Sequence, residues 1–136
     1  GTFDRFAKWD DRTSVLIRPF IDPIASAYAA ADCVVSRSGA MTLAEICAWS
    51  LPSILVPLPT AAAGHQAANA RALADAGAAV YLDQSDLTGQ RLATELGGLV
   101  SSSARLADLS RASGERARPD AADRIATAAL GLLTRN

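Results

Sequence analysis

The sequence is poor in the residues on which metal and redox chemistry rests. Its 136 residues include two cysteines and one histidine. Cys33 and Cys47 each sit alone inside an apolar run, with no CxxC spacing and no histidine nearby, which speaks against a zinc site or a redox pair. Buried free thiols in a reducing compartment are the simpler reading. His65 has no serine or cysteine nucleophile arranged beside it, so a catalytic triad is a poor reading. No apolar run approaches the ~20 residues a membrane-spanning helix needs, and no signal peptide is visible. There is no block of one charge either: 13 basic and 14 acidic residues give a net charge of −1. Arg105, Arg111, Arg116, Arg118 and Arg124 alternate with Asp108, Glu115, Asp120 and Asp123, the pattern of a solvated helical face and not of a nucleic-acid footprint. The opening GTFDRFAKW lacks an initiator Met and reads as the interior of a longer polypeptide.

What is present is globular. Half the residues are hydrophobic and a fifth are charged, enough for one compact domain. Short continuous apolar runs, SVLIRPF (14–20), CVVS (33–36), SILVPL (53–58) and AAVYL (78–82), alternate with helix-suited stretches at 23–31, 41–50, 65–76 and 86–100. Unbroken apolar strands separated by helices predict an α/β fold: a Rossmann-like parallel sheet with helices on both faces. Such sheets bind ligands at the carboxyl ends of their strands. Asp22-Pro23 suits a helix start, Leu51-Pro52 a helix end, and Gly77 a left-handed C-terminal cap. Beyond Leu82 the strand signal stops. Ser85-Asp86 and Asp120 can start helices, so 83–136 reads as a helical annex to a single domain spanning 1–136.

Three places could carry chemistry. After CVVS comes Arg37-Ser38-Gly39-Ala40 and then a helix at once. A small turn there lets backbone approach a ligand and aims the helix's first N–H groups at it, which suits a phosphate; many domains use such turns for structure alone. Thr42 and Glu45 form T-x-x-E, which fits a capping box or, alternatively, a carboxylate placed to accept from two ribose hydroxyls. Finally, a small-residue loop from Thr60 to Gly64 leads into His65-Gln66-Ala67-Ala68-Asn69. Gln66 and Asn69 are three apart and share a helix face. Paired amides suit sugar hydroxyls, and they equally suit an exposed first turn.

Taken in order, VLIRPFID, SRSGAMTLAE and LPSILVPLPTAAAGHQAANARALADAGAA resemble the C-terminal domain of the bacterial N-acetylglucosaminyltransferases that complete the lipid-linked peptidoglycan precursor. Residues 14–82 carry the likeness most strongly. The resemblance implies the donor half of a GT-B fold, truncated at its N-terminal side, that binds UDP-GlcNAc for inverting transfer to an undecaprenyl-linked muramoyl-pentapeptide. It implies that Phe20 and Ile21 flank the uracil. Arg37, Ser38, Gly39, Ala40, Met41 and Thr42 would lie near the diphosphate, Glu45 on the ribose, and His65, Gln66 and Asn69 around the GlcNAc. No cofactor or metal is implied, and the catalytic base, the lipid-acceptor site and any peripheral membrane contact at the cytoplasmic face belong to a separate N-terminal domain. Alternatives are a donor-binding half-subunit with a partner chain, or another GT-B UDP-sugar transferase. The chain departs from the family pattern at Gly64, where an acidic residue often precedes the His-Gln pair.

Overall fold

The computed structural model describes residues 2–61 and 64–133; Ala62 and Ala63 of the small-residue loop lie outside them. The chain divides into two compact units, Gly1–Ala30 and Ala31–Asn136.

The first unit holds α1 (Thr2–Phe6), a 3-10 turn (Ala7–Trp9) and α2 (Ile24–Ala30). The SVLIRPF run, expected to be a strand, forms none. A strand needs a ladder partner for its N–H and C=O groups, and here the neighbouring backbone is satisfied locally. The Asp11 carboxylate accepts from the N–H groups of Thr13, Ser14 and Val15, and the Asp11 N–H donates to the Val15 carbonyl. The three N–H donors hold the Asp11 carboxyl well below the usual range. Helix α2 starts at Ile24, and its first turn is closed by the Ser26 N–H on the Pro23 carbonyl.

The second unit is built on a parallel sheet of three strands in the order β1 (Val34–Ser36), β2 (Ser53–Leu55), β3 (Val80–Tyr81). Helix α3 (Ala40–Ala48) joins β1 to β2, and α4 (His65–Asp75) joins β2 to β3. α5 (Gly89–Val100), α6 (Ser103–Gly114) and α7 (Ala121–Leu133) follow. Alternation along β2 sends Ile54 and Leu55 to opposite faces, and both are fully buried, so the sheet is covered on its two sides. Ile54, Val56 and Leu82 pack with Leu99 of α5 and Leu109 of α6 into one core. Each such side chain contributes roughly 1.5–3 kcal/mol by leaving water. The helical stretch after Leu82 thus closes one face of the sheet.

Several helix ends differ from the sequence expectation. The capping box at Thr42 and Glu45 does not form: α3 begins two residues before Thr42, with Gly39 as its N-cap and no side-chain cap bond. α3 ends before Leu51-Pro52, through a left-handed Ser50 (φ 51°) that lets the Leu51 N–H reach the Ile46 carbonyl. α5 starts not at Ser85-Asp86 but after Thr88, whose Oγ1 accepts from the Arg91 N–H. Ser85 and Asp86 fall instead in a 3-10 turn (Gln84–Asp86) capped by Asp83. Gly77 is left-handed, as expected (φ 68°), with its N–H on the Ala74 carbonyl and the Ala78 N–H on that of Leu73. Asp120 precedes α7 and accepts from the Arg124 N–H.

Candidate functional site

The carboxyl end of β1 runs through Arg37 and Ser38 into α3, and that of β2 leads through a loop into α4, so the starts of both helices lie at the same edge of the sheet. Between them opens a cleft of about 510 Å³ lined by Gly39, Ala40, Ala61, His65, Gln66 and Asn69. Five of the residues singled out in the sequence are thereby brought onto one wall. Ala61 joins them from the small-residue loop, where only the composition hinted at it.

Gly39 is the pivotal position. Its φ of −64° is one any residue adopts, and among the described residues a Cβ there would meet only Thr42 Oγ1, at 4.0 Å. Neither conformation nor packing among the described residues requires glycine. A helix start ordinarily favours Ser, Thr, Asp or Asn, whose side chain satisfies an early amide. Here that position carries no side chain, and the amides of Ala40, Met41 and Thr42 have no intrahelical acceptor by helix geometry. The positive end of α3 faces the cleft.

The wall is held by a mutual clasp between Ser38 and Gln66. The fully buried Ser38 donates through Oγ to the Gln66 backbone carbonyl at 2.8 Å, and its N–H donates to Gln66 Oε1 at 3.3 Å. Gln66 Oε1 also accepts from the Leu58 N–H at 3.0 Å, and Asn69 Nδ2 donates to the Ser38 carbonyl at 3.3 Å. Two backbone donors fix which end of the Gln66 amide is oxygen. Both amides expected to face a sugar are thus half committed to the turn. Sequence reading missed Leu58, because a backbone N–H leaves no residue-type signal.

The remaining residues are distributed around this wall. Met41 is exposed and Thr42 half-buried on the first turn of α3; Glu45 is half-buried one turn on, outside the cleft lining. Arg37 lines a different recess, of about 240 Å³, with Val35, Ser36, Val56, Leu87 and Leu92. Phe20 and Ile21 belong to the first unit, where Phe20 is 79% exposed and Ile21 44%. Gly64 is left-handed (φ 67°) at the N-cap of α4, which gives a backbone reason for glycine where the family pattern has an acid: a side chain is strained at such a φ.

A parallel α/β unit with the start of a helix open at the carboxyl edge of its sheet is an architecture that many nucleotide-binding proteins share. Residues 4–125 match the model of the glycosyltransferase family 28 C-terminal domain, and the chain belongs to that family. It is 47% identical over 119 residues to a UDP-N-acetylglucosamine--N-acetylmuramyl-(pentapeptide) pyrophosphoryl-undecaprenol N-acetylglucosamine transferase of Anaeromyxobacter dehalogenans (strain 2CP-C), covering 88% of this chain and 31% of the relative. It is 50% identical over 121 residues to the transferase of the same name from Burkholderia vietnamiensis, covering 89% and 32%. Among solved structures, Acinetobacter baumannii MurG superposes with a TM-score of 0.75 at 34% identity, covering 82% of this chain and 33% of that one. The chain spans about a third of the length of the curated relatives it matches.

Proposed function

We propose that the cleft between the starts of α3 and α4 binds the donor UDP-N-acetylglucosamine, and that the whole of residues 1–136 serves as part of a donor-binding domain. The observation behind this reading is Gly39: a helix start facing a cleft without a side chain, at a position where the protein's own packing leaves room for one. A diphosphate seated there would take the amides of Ala40 to Thr42 and the positive helix end. Ser38 and Gly39 form the turn beneath it. Glu45 accepts from the ribose hydroxyls, and His65 frames the sugar.

The bonds within the wall sharpen the roles of the two amides. With Oε1 of Gln66 held by backbone N–H groups and Nδ2 of Asn69 donating to Ser38, Gln66 offers the cleft its Nε2 and Asn69 its Oδ1. A donor and an acceptor side by side match a sugar hydroxyl, which both accepts and donates.

In the full-length polypeptide the reaction is an in-line displacement with inversion. The acceptor hydroxyl of the lipid-linked muramoyl-pentapeptide bonds to the anomeric carbon as the bond from that carbon to the diphosphate oxygen breaks. The electron pair leaves with UDP, and the hydroxyl proton passes to a base supplied outside this chain. The start of α3 lowers the barrier by stabilising the departing charge; one well-placed donor of this kind is worth roughly 2–4 kcal/mol. Among the described residues no helix is long and apolar enough to cross a membrane, and we place the protein at the cytoplasmic face of the membrane through contacts made elsewhere in the full-length protein.

Titrating UDP-N-acetylglucosamine calorimetrically against the chain and its Glu45→Ala variant tests the reading. Loss of hydrogen bonds from a charged group costs about 1.5–3 kcal/mol, so Glu45→Ala weakens binding by at least tenfold. Equal affinities remove Glu45 from the ribose; no binding by the parent chain defeats the donor assignment.

A further inference from the structure

We propose that Gln84 and Arg37 form a positioning pair that sets the direction of the α3 start, an inference that rests on the donor reading for its functional consequence and on the clasp geometry for its physical content. Arg37 directly follows β1, yet its side chain turns away from the cleft. Its Nη1 donates to the Val56 carbonyl at 3.1 Å, to the Pro57 carbonyl at 3.2 Å and to Gln84 Oε1 at 2.7 Å. One amino group has two hydrogens, so three acceptors must share them, and the shortest contact is the one to Gln84. Val56 and Pro57 lie where β2 leaves the sheet, and their carbonyls need donors from outside the ladder. Gln84 lies in the 3-10 turn after β3. A single guanidinium thus ties the carboxyl ends of all three strands together.

The consequence reaches the cleft through two bonded neighbours. Pro57 precedes Leu58, whose N–H is held by Gln66 Oε1; Arg37 precedes Ser38, held twice by Gln66. The turn that launches α3 is therefore fixed from below by Arg37 and from the side by Gln66. Gln84 Oε1 is the only side-chain acceptor among the three that Arg37 Nη1 serves, so it aims the guanidinium. Lysine at position 37 would present a point charge on a flexible stem and could not keep the planar geometry. Neither Arg37 nor Gln84 lines the cleft, so the pair acts through the backbone.

The test uses the chain with Gln84→Ala, which removes the acceptor, and Gln84→Glu, which keeps an oxygen there and strengthens the pairing with Arg37. Arg37→Ala and the Arg37→Ala/Gln84→Ala double variant complete a cycle. Without any ligand, hydrogen exchange at the Ser38 amide reports the order of the turn. It speeds at least tenfold in Gln84→Ala, returns to the parent rate in Gln84→Glu, and is no faster in the double variant than in Arg37→Ala. Titration with UDP-N-acetylglucosamine then shows five- to tenfold weaker binding in Gln84→Ala and recovery in Gln84→Glu. Unchanged Ser38 exchange in Gln84→Ala, or equal acceleration in the alanine and glutamate variants, overturns the pair. If exchange behaves as expected while the parent chain binds no UDP-N-acetylglucosamine, the donor assignment fails and the positioning of the turn stands.

Discussion

Ser38 and Gln66 bond to each other twice, once from side chain to backbone and once from backbone to side chain, and this reciprocal pairing joins the two helix starts that flank the cleft. It also separates what Gln66 does for the fold from what it does for a ligand. Its Oε1 serves Ser38 and Leu58, while its Nε2 is directed to the sugar under the donor reading.

That separation is testable with isosteric changes. Gln66→Glu keeps an acceptor oxygen for both backbone N–H groups but removes the amide donor and brings a negative charge to the anion-binding wall. Its thermal stability stays within about 1 kcal/mol of the parent, while UDP-N-acetylglucosamine affinity falls at least tenfold. Gln66→Ala orphans two backbone donors and costs about 1–3 kcal/mol of stability as well. Denaturant unfolding read beside calorimetric titration distinguishes the two; parallel losses in both variants contradict the division of roles.

Much of the architecture was legible in the chain. CVVS, SILVPL and AAVYL are apolar without alternation because they lie in a sheet covered on both faces, and all three became strands. SVLIRPF carries the same signal and forms no strand, because composition does not supply a ladder partner. Helix starts were harder. T-x-x-E marks a capping box only when Thr is the cap, and α3 begins two residues earlier, at Ala40, behind a Gly39 cap that has no side chain. At the site, His65, Gln66 and Asn69 could be grouped by helical spacing. Arg37 could not be told from a ligand contact, since its acceptors lie 19, 20 and 47 residues away and two of them are backbone carbonyls. Residue type reveals a hydrogen-bonding capacity; only the fold reveals where it is used.

Gly39 sets stability against binding. Gly39→Asp supplies the missing cap and a negative charge beside the positive helix end, which together stabilise a helix start by about 0.5–1 kcal/mol. The same carboxylate occupies and repels the place assigned to the diphosphate. The variant therefore unfolds at a higher temperature and binds UDP-N-acetylglucosamine too weakly to measure. Retained affinity with raised stability contradicts a diphosphate at the α3 start.

Gly114 faces a close neighbour in space. A Cβ at this position would sit 2.6 Å from Ser50 Oγ and 3.4 Å from Ser50 Cβ, where α6 packs on the end of α3. Gly114→Ala forces the Ser50 hydroxyl out of its rotamer and destabilises by about 0.5–1.5 kcal/mol. Ser50→Gly removes the obstructing hydroxyl and suits the left-handed backbone at residue 50, so it is neutral or stabilising alone and recovers most of the loss in the double variant. Additive effects in urea unfolding would show that the two residues do not meet.

Asp83 supplies the acid sensitivity of the turn that presents Gln84. Its carboxylate accepts from the Ser85 N–H at 2.9 Å, the Tyr81 hydroxyl at 2.8 Å and the Ser85 hydroxyl at 2.8 Å, and these bonds lower its pKa from the ordinary 3.8 to about 2, the Ser85 N–H having the largest effect. Because the folded value lies below the unfolded one, the charged carboxylate's contribution to stability is fully present above about pH 4. It declines as the pH falls through the folded pKa, when the folded state must also take up the proton. Carbon-detected NMR titration of the Asp83 carboxyl therefore gives a midpoint near 2, and Asp83→Asn loses less stability between pH 4 and pH 2 than the parent does. A midpoint at the ordinary carboxylate value would mean that the three bonds do not persist in solution, and that Gln84 is held by something other than this turn.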